Sequence, residues 1–207
     1  MASAWAAALG FALRLAARLP CRHGADGALP VHGQGGPLRT HPAPVLVIVV
    51  PVRVEREIGV LHASGLDALG LDPDRLLVVR TAKDAETAWA MEETLAARAV
   101  DGLVGLIDRL DLTMARRLAL AARAQATPCL AVTAARTAPA AAAATRWRVG
   151  VAASAPHAQD PCAPGGDRIT VRLERRRGSR AAGLDPLFQE PSCLEWCHEA
   201  FRFRLAA

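Results

Sequence analysis

The segment Val45-Leu-Val-Ile-Val-Val50 decides the fold of this 207-residue chain. It is a continuous apolar run closed by Pro51, and such a run is typical of a strand buried on both faces of a sheet. Three later apolar segments predict further strands: Leu76–Arg80, Val100–Ile107 and Pro128–Thr133.

Helical patterns lie between these strands: Glu55–Ser64 stopped by Gly65, one turn after Asp72-Pro73, Asp84 to about Arg98, and Leu112 to Gln125. In the third of these, the periodicity places Trp89 and Leu95 on the inward face. Strands that alternate with helices over short connections favour right-handed crossovers and a parallel sheet. The predicted fold class is therefore α/β, with a mainly parallel sheet flanked by helices.

The alternation of strands and helices ends at an Ala/Pro linker, Ala134–Ala144. Three extended segments follow without helices between them: Thr145–Ala153, Arg168–Arg176 and roughly Ser192–Trp196. We interpret them as antiparallel strands added to the edge of the parallel sheet. The predicted organisation is an α/β core at 1–133, the linker at 134–144, and an antiparallel extension of the same domain at 145–207.

The first 44 residues contain a helix and a loop. The larger residues of Met1–Pro20 fall on one helical stripe, and Arg14 and Arg18 interrupt any signal-peptide core. Residues 20–44 are rich in Gly, Pro and His and predict a long exposed loop. No stretch reaches the roughly 20 apolar residues of a membrane span, and five scattered cysteines favour a reducing compartment. We expect a cytoplasmic protein without membrane association.

The residues needed for nucleotide hydrolysis are missing from this sequence. It has no G-x-x-x-x-G-K-[ST] loop, and its only lysine, Lys83, lies between a strand and a helix. Leu106 and Ile107 stand where a magnesium-binding carboxylate is expected at the end of a strand. Asp108 and Asp111 follow, as either metal ligands or a loop residue and a helix cap. We expect no enzyme activity, no catalytic residues and no cofactor.

One cysteine cluster is the candidate metal site. Cys193, Cys197 and His198 form a C-x-x-x-C-H pattern. A structural zinc ion needs four ligands, and no second clustered pair exists. Two cysteines packed on one strand face is the simpler interpretation, so no metal site is predicted.

Arginine is concentrated near the C-terminus. From Arg146 to Arg180 there are eight arginines and only three acidic residues. This clustering predicts a surface for the DNA backbone or for an acidic protein partner, and a solvated edge strand protected by charge is the alternative. Aromatic residues nearby favour the protein partner. The candidate binding residues are Arg172, Arg175, Arg176, Arg177, Arg180, Trp196, Phe201 and Phe203.

Several stretches together resemble a known family. Gly65-Leu-Asp-Ala-Leu-Gly-Leu-Asp-Pro-Asp-Arg-Leu-Leu-Val-Val79, Ala88-Trp-Ala-Met-Glu-Glu-Thr-Leu95 and Val100-Asp-Gly-Leu-Val104 look like the centre of a RecA-type core. The chain is more closely similar to the ImuA family, RecA-like and SulA-related accessory proteins of bacterial damage-induced mutagenesis. Further matching stretches begin at Asp111, Ala144, Val171 and Leu194.

The resemblance implies an SOS-response adaptor without catalysis that acts in error-prone translesion synthesis. Its implied partners are an ImuB-like inactive polymerase subunit, an error-prone DNA polymerase and RecA. The family pattern also implies that an N-terminal segment is lacking before the first helix, and it usually carries an acidic residue at the position of Leu106. A DNA-binding module that uses the Arg172–Arg180 face and a SulA-like cell-division inhibitor are the alternatives.

Overall fold

The computed structural model describes residues 2–19, 45–133, 142–154, 157, 159–160, 162–177, 190–197 and 202–206. The predicted loop at 20–44 and most of the predicted linker lie outside these ranges. A four-stranded parallel sheet has the strand order β2-β1-β3-β4. Its strands are β1 Leu46–Pro51, β2 Leu76–Thr81, β3 Gly102–Leu106 and β4 Cys129–Val132.

Helices cover both faces of the parallel sheet. They are α1 Ala2–Ala16, α2 Val52–Ile58, α3 Ala63–Asp67, α4 Asp84–Ala96 and α5 Leu112–Ala124, with a 3₁₀ turn at Pro73–Arg75. Alternate residues of β1 face opposite layers: Ile48 packs with α1 and α2, whereas Val49 packs with α4. This alternation explains why β1 is continuously apolar.

Gly105 of β3 allows α4 to approach the sheet closely. A Cβ at this position would lie 2.2 Å from the Sδ atom of Met91, which is fully buried. Met91 therefore occupies the inward position on α4, together with Ala88 and Leu95. The inward placement predicted for Leu95 is confirmed and that of Trp89 is wrong, because this register leaves Trp89 63% exposed.

The C-terminal strands form a second sheet, with the antiparallel order β5-β6-β7-β8. They are β5 Thr145–Val151, β6 Arg168–Arg176, β7 Ser192–Cys197 and β8 Arg202–Leu205. The predicted α/β class with C-terminal antiparallel strands is confirmed. The predicted attachment to the edge of the parallel sheet is wrong, since among the described strands these four pair only with one another. Strand β8 was not predicted.

Helix α1 lies between the two sheets and is buried on both sides. Trp5, Leu9 and Ala16 pack against the parallel sheet, as the helical stripe predicted. Phe11 packs on the opposite side, with Val171 of the antiparallel sheet. One helix thus supplies apolar side chains to two cores, which favours a single domain.

Of two local sequence patterns, the cap at Asp72 forms as predicted and the helix predicted at Glu55–Ser64 does not. Asp72 caps the 3₁₀ turn as predicted, because its Oδ1 atom accepts from the backbone N–H of Asp74 at 3.0 Å. The helix predicted at Glu55–Ser64 is instead divided into α2 and α3. Gly59 ends α2 with φ of +91°, a conformation that glycine adopts without a Cβ penalty.

Candidate functional site

The outer face of the antiparallel sheet carries an arginine cluster. In the β5–β6 register, Arg148 lies opposite Arg172 and Arg146 lies opposite Arg175. Between these pairs Trp147 lies opposite Leu173, and Trp147 turns inward to the core beside α1. The four arginines therefore share the outward face. We call Arg146, Arg148, Arg172, Arg175, Arg176 and Arg177 the arginine end of the sheet.

A β-bulge shapes this end. The register shifts between Arg146 and Trp147, so that Glu174 has no partner opposite it on β5. Its carboxylate instead accepts from Nε of Arg146 at 2.7 Å and from Nε of Arg148 at 2.5 Å. The hydrogen bond from Arg148, followed by that from Arg146 and by their charges, lowers the pKa of Glu174. One glutamate thus neutralises part of the charge of two arginines.

A second glutamate neutralises part of the charge of two other arginines, at the other side of the outer face. Glu195 on β7 accepts from Nε of Arg168 at 3.0 Å and from Nη2 of Arg204 at 2.9 Å. The hydrogen bonds from Arg204 and then Arg168 lower the pKa of Glu195. These strands are neighbours in the sheet, so the three side chains form a row across it.

Four predicted binding residues remain without such neutralisation. Arg172, Arg175, Arg176 and Arg177 are exposed, and within the described ranges none of them forms a salt bridge. The predicted edge-strand role fits only part of β6. Its residues Arg168–Val171 pair with β7, whereas Arg172–Arg176 pair with β5 alone among the described strands. Arg180 and Phe201 lie outside the described residues.

Two of the three predicted aromatic binding residues, Trp196 and Phe203, pack toward α1. Trp196 is only 2% exposed, and its ring makes an edge contact with Phe203 at 5.2 Å between centroids. Phe203 is half-buried and also contacts Phe11 of α1 at 5.7 Å. Both rings face α1 because they alternate with the outward Glu195 and Arg204 along their strands.

These aromatic rings enclose a charged residue that the sequence reading missed. Arg14 of α1 is buried. Its guanidinium carbon lies 4.6 Å from the centroid of the Trp196 ring and 5.5 Å from the centroid of the Phe203 ring. Its Nη2 donates to Oδ2 of Asp167 at 3.2 Å. Burial lowers the pKa of Arg14, and the charge of Asp167 opposes this shift. In the sequence, the burial of Arg14 is indicated only by the position of a charged residue within an apolar helix.

The carboxyl edge of the parallel sheet holds an ion-pair network. At this edge β1 and β3 are neighbours whose following helices cover opposite faces, which is where ligands bind in open α/β sheets. Arg53 after β1 contacts Asp108 after β3 at 3.4 Å and Asp84 of α4 at 3.7 Å. The Asp84 carboxylate also accepts from the backbone N–H of Arg109 at 2.9 Å.

The remaining residues at the ends of these strands and helices have structural roles. Asp111 caps α5, since its Oδ1 accepts from the N–H of Met114 at 2.8 Å, as the cap alternative predicted. Leu106 and Ile107 are fully buried in the two cores on either side of the sheet. Asp84 does not cap its own helix, because Lys83 is the cap residue and Asp84 holds the loop after β3.

The cysteines show no metal geometry in the part of the chain that is described. Within it, no group of three or more His, Cys, Asp or Glu side chains is arranged to hold a metal ion, and His198 falls outside it. Cys193 and Cys197 are half-buried free thiols. Cys129 of β4 is also half-buried as a residue, and burial of its thiol against the core raises the pKa of that thiol to about 12. None of the described helices is long and apolar enough to cross a membrane.

The fold and this site define an α/β protein with an arginine-rich antiparallel sheet. No family model matches the chain. Over 140 residues it is 34% identical to Protein ImuA of Caulobacter vibrioides, in strain NA1000 / CB15N and in strain ATCC 19089 / CIP 103742 / CB 15. The match covers 59% of this chain and 54% of each relative, so the chain spans about half the length of these curated relatives.

A solved structure is also similar. The crystal structure of SulA from Pseudomonas aeruginosa aligns with 60% of this chain and 86% of its own, at a TM-score of 0.41 and 15% sequence identity.

Proposed function

We propose that this chain is a non-catalytic accessory protein of bacterial damage-induced mutagenesis. The observation that carries the proposal is the 34% identity to Protein ImuA over 140 residues. The residues that resemble the ImuA family extend from the parallel sheet into the antiparallel sheet, so the likeness concerns both halves of the fold. In this role the protein holds other proteins together at damaged DNA.

The implied partners are an ImuB-like polymerase subunit, an error-prone DNA polymerase and RecA. Adaptors of this kind need accessible surface rather than a closed pocket. The structure offers such surface on α4 and α5, where Trp89 is 63% and Leu120 is 68% exposed. An exposed tryptophan is a typical anchor of a protein interface.

The geometry at the carboxyl edge supports the absence of catalysis. A nucleotide-hydrolysing site there needs a phosphate-binding lysine and a carboxylate that is free to hold magnesium. Here Arg53 lies between the carboxylates of Asp84 and Asp108. The arrangement therefore favours a structural role for these acids.

A gene deletion with complementation tests the proposal. Deletion should lower the frequency of mutations induced by ultraviolet light and leave growth without damage unchanged. Complementation with the parent or with Asp108→Asn should restore mutagenesis equally, because no catalysis is involved. An unchanged mutation frequency in cells that express the protein would contradict the role, and failure of Asp108→Asn alone, with normal protein levels, would contradict the non-catalytic part.

Affinity purification from damaged and undamaged cells tests the partners. Polymerase subunits that co-purify after damage would support the adaptor, and capture of the cell-division GTPase instead would favour a SulA-like inhibitor. The double variant Trp89→Ser/Leu120→Ser is the surface test. Val60→Ser, at an equally exposed position after α2 and away from α4 and α5, is its control.

A further inference from the structure

We infer that the arginine end of the antiparallel sheet binds the phosphodiester backbone of DNA, without regard to base sequence. The inference is independent of the mutagenic role, because it concerns a surface that a purified protein can be tested for directly.

The first argument is the charge that remains after internal pairing. Six arginines gather in residues 146–148 and 172–177, and Glu174 is the only acid in these two segments. The carboxylate of Glu174 is already used by Arg146 and Arg148. Arg172, Arg175, Arg176 and Arg177 have no carboxylate partner among the described residues, so their charge is available to an external anion.

The second argument is the register, which places like charges side by side. Arg172 lies directly opposite Arg148, and Arg175 lies directly opposite Arg146. Like charges at opposed positions of an antiparallel pair destabilise the sheet. A bound polyanion would remove this repulsion, and the planar guanidinium group donates two parallel hydrogen bonds to a phosphate.

The third argument distinguishes DNA from an acidic protein. Protein interfaces have an apolar centre with aromatic anchors. On the outer face of the described strands no large apolar side chain is exposed, because Trp147, Leu194 and Trp196 all face inward. The exposed Val151 and Leu205 also belong to the inward alternation, at strand ends. A charged face without an apolar centre fits a nucleic-acid backbone better.

The same observation favours a contact with the backbone alone. Proteins that prefer single strands stack bases on exposed aromatic rings. Within the described ranges the rings of this sheet pack on α1 instead. We therefore expect duplex DNA to bind at least as tightly as a single strand of equal length.

The test is fluorescence anisotropy with a 30-base-pair duplex and the matching single strand, between 50 and 200 mM salt. Affinity for the duplex should fall with salt, with a log–log slope near −0.9 for each phosphate contacted. Arg172→Ala/Arg175→Ala should flatten the slope by about two. The control Arg116→Ala/Arg123→Ala removes two exposed arginines of α5 and should leave it unchanged. Glu174→Gln should tighten binding, because it releases Arg146 and Arg148.

Circular dichroism establishes that each variant is folded. Absence of duplex binding at 50 mM salt would overturn the inference, as would equal effects of the two double variants. Tighter binding of the single strand would overturn the backbone-only contact. If DNA binding is absent and Arg172→Ala/Arg175→Ala abolishes co-purification of a protein, the face docks an acidic protein instead. None of these results depends on the mutation frequency of the deletion strain.

Discussion

Arg14 and Asp167, 153 positions apart in sequence, join the first helix to the antiparallel sheet by an ion pair of 3.2 Å. The Arg14 side chain is 7% exposed and that of Asp167 is 66% exposed, so one partner is buried and the other hydrated. Trp196 and Phe203 complete the surroundings of the guanidinium. The ion pair adds a polar contact to the apolar packing of α1 against the antiparallel sheet.

Replacing Arg14 should therefore destabilise the protein through packing more than through charge. Arg14→Ala removes the buried stem and the cation–π contacts, and should lower the free energy of unfolding by about 2–3 kcal/mol. Arg14→Met keeps an unbranched apolar side chain and should cost less. Asp167→Asn should cost about 0.5–1 kcal/mol, because its carboxylate stays hydrated. Urea unfolding followed by tryptophan fluorescence measures all three, and an Asp167→Asn effect as large as that of Arg14→Ala would contradict this ranking.

The close approach of Met91 to Gly105 makes a second prediction. Gly105→Ala would place a methyl group against the Met91 sulfur, and should lower the free energy of unfolding by about 1–3 kcal/mol. Shortening the neighbour should relieve the overlap, so the cost of Gly105→Ala should be smaller in a Met91→Ala background. Thermal unfolding of the four proteins gives this coupling, and equal costs in both backgrounds would show that the contact is not what requires glycine.

The parallel sheet could be predicted because its signals are local. The apolar run before Pro51, the caps Asp72 and Asp111 and the alternation of strands with helices each act within a few residues. The division of the Glu55–Ser64 helix is local as well, yet the positive φ of Gly59 leaves no pattern in the sequence beyond the glycine itself.

The pairing and burial in the antiparallel sheet could not be predicted from local sequence patterns. Strand periodicity predicts extended segments but not which strands they pair with. The burial of Trp196 depends on Arg14, far away in sequence, and an aromatic residue beside arginines is equally typical of an interface. The clustering of arginines was predictable, whereas their partial neutralisation by Glu174 depends on a β-bulge in the β5–β6 register.

The lowered pKa values of Glu174 and Glu195 predict how stability depends on pH. A carboxyl group with a lowered folded-state pKa stabilises the protein above its unfolded pKa of about 4.3, and this contribution is lost as the pH falls through the folded value. The parent should thus be more stable than Glu174→Gln/Glu195→Gln at pH 7, and the two should converge at acid pH. Urea midpoints at a series of pH values test this.

The buried thiol of Cys129 should resist alkylation. With a pKa of about 12, almost none of it is thiolate at pH 8, and only the thiolate reacts rapidly. Exposed Cys162 should be labelled by iodoacetamide within minutes under conditions in which Cys129 stays unlabelled, and both should react in denaturant. Peptide mass spectrometry distinguishes them. Rapid labelling of Cys129 in the folded protein would mean that β4 opens readily.

The purified chain should neither bind magnesium–ATP at micromolar concentration nor hydrolyse it. The physical reason is that Asp84 and Asp108 already surround the Arg53 guanidinium, while Leu106 and Ile107 give the end of β3 two apolar side chains in place of a carboxylate. Titration calorimetry with magnesium–ATP should show no saturable heat, and phosphate release should equal that of buffer.

Arg53→Ala is the informative variant, because it leaves both carboxylates without their cation. It should still not hydrolyse ATP, since no phosphate-binding lysine loop is present in the sequence. Turnover by the parent that Asp108→Asn abolishes would instead make this edge of the sheet an active site.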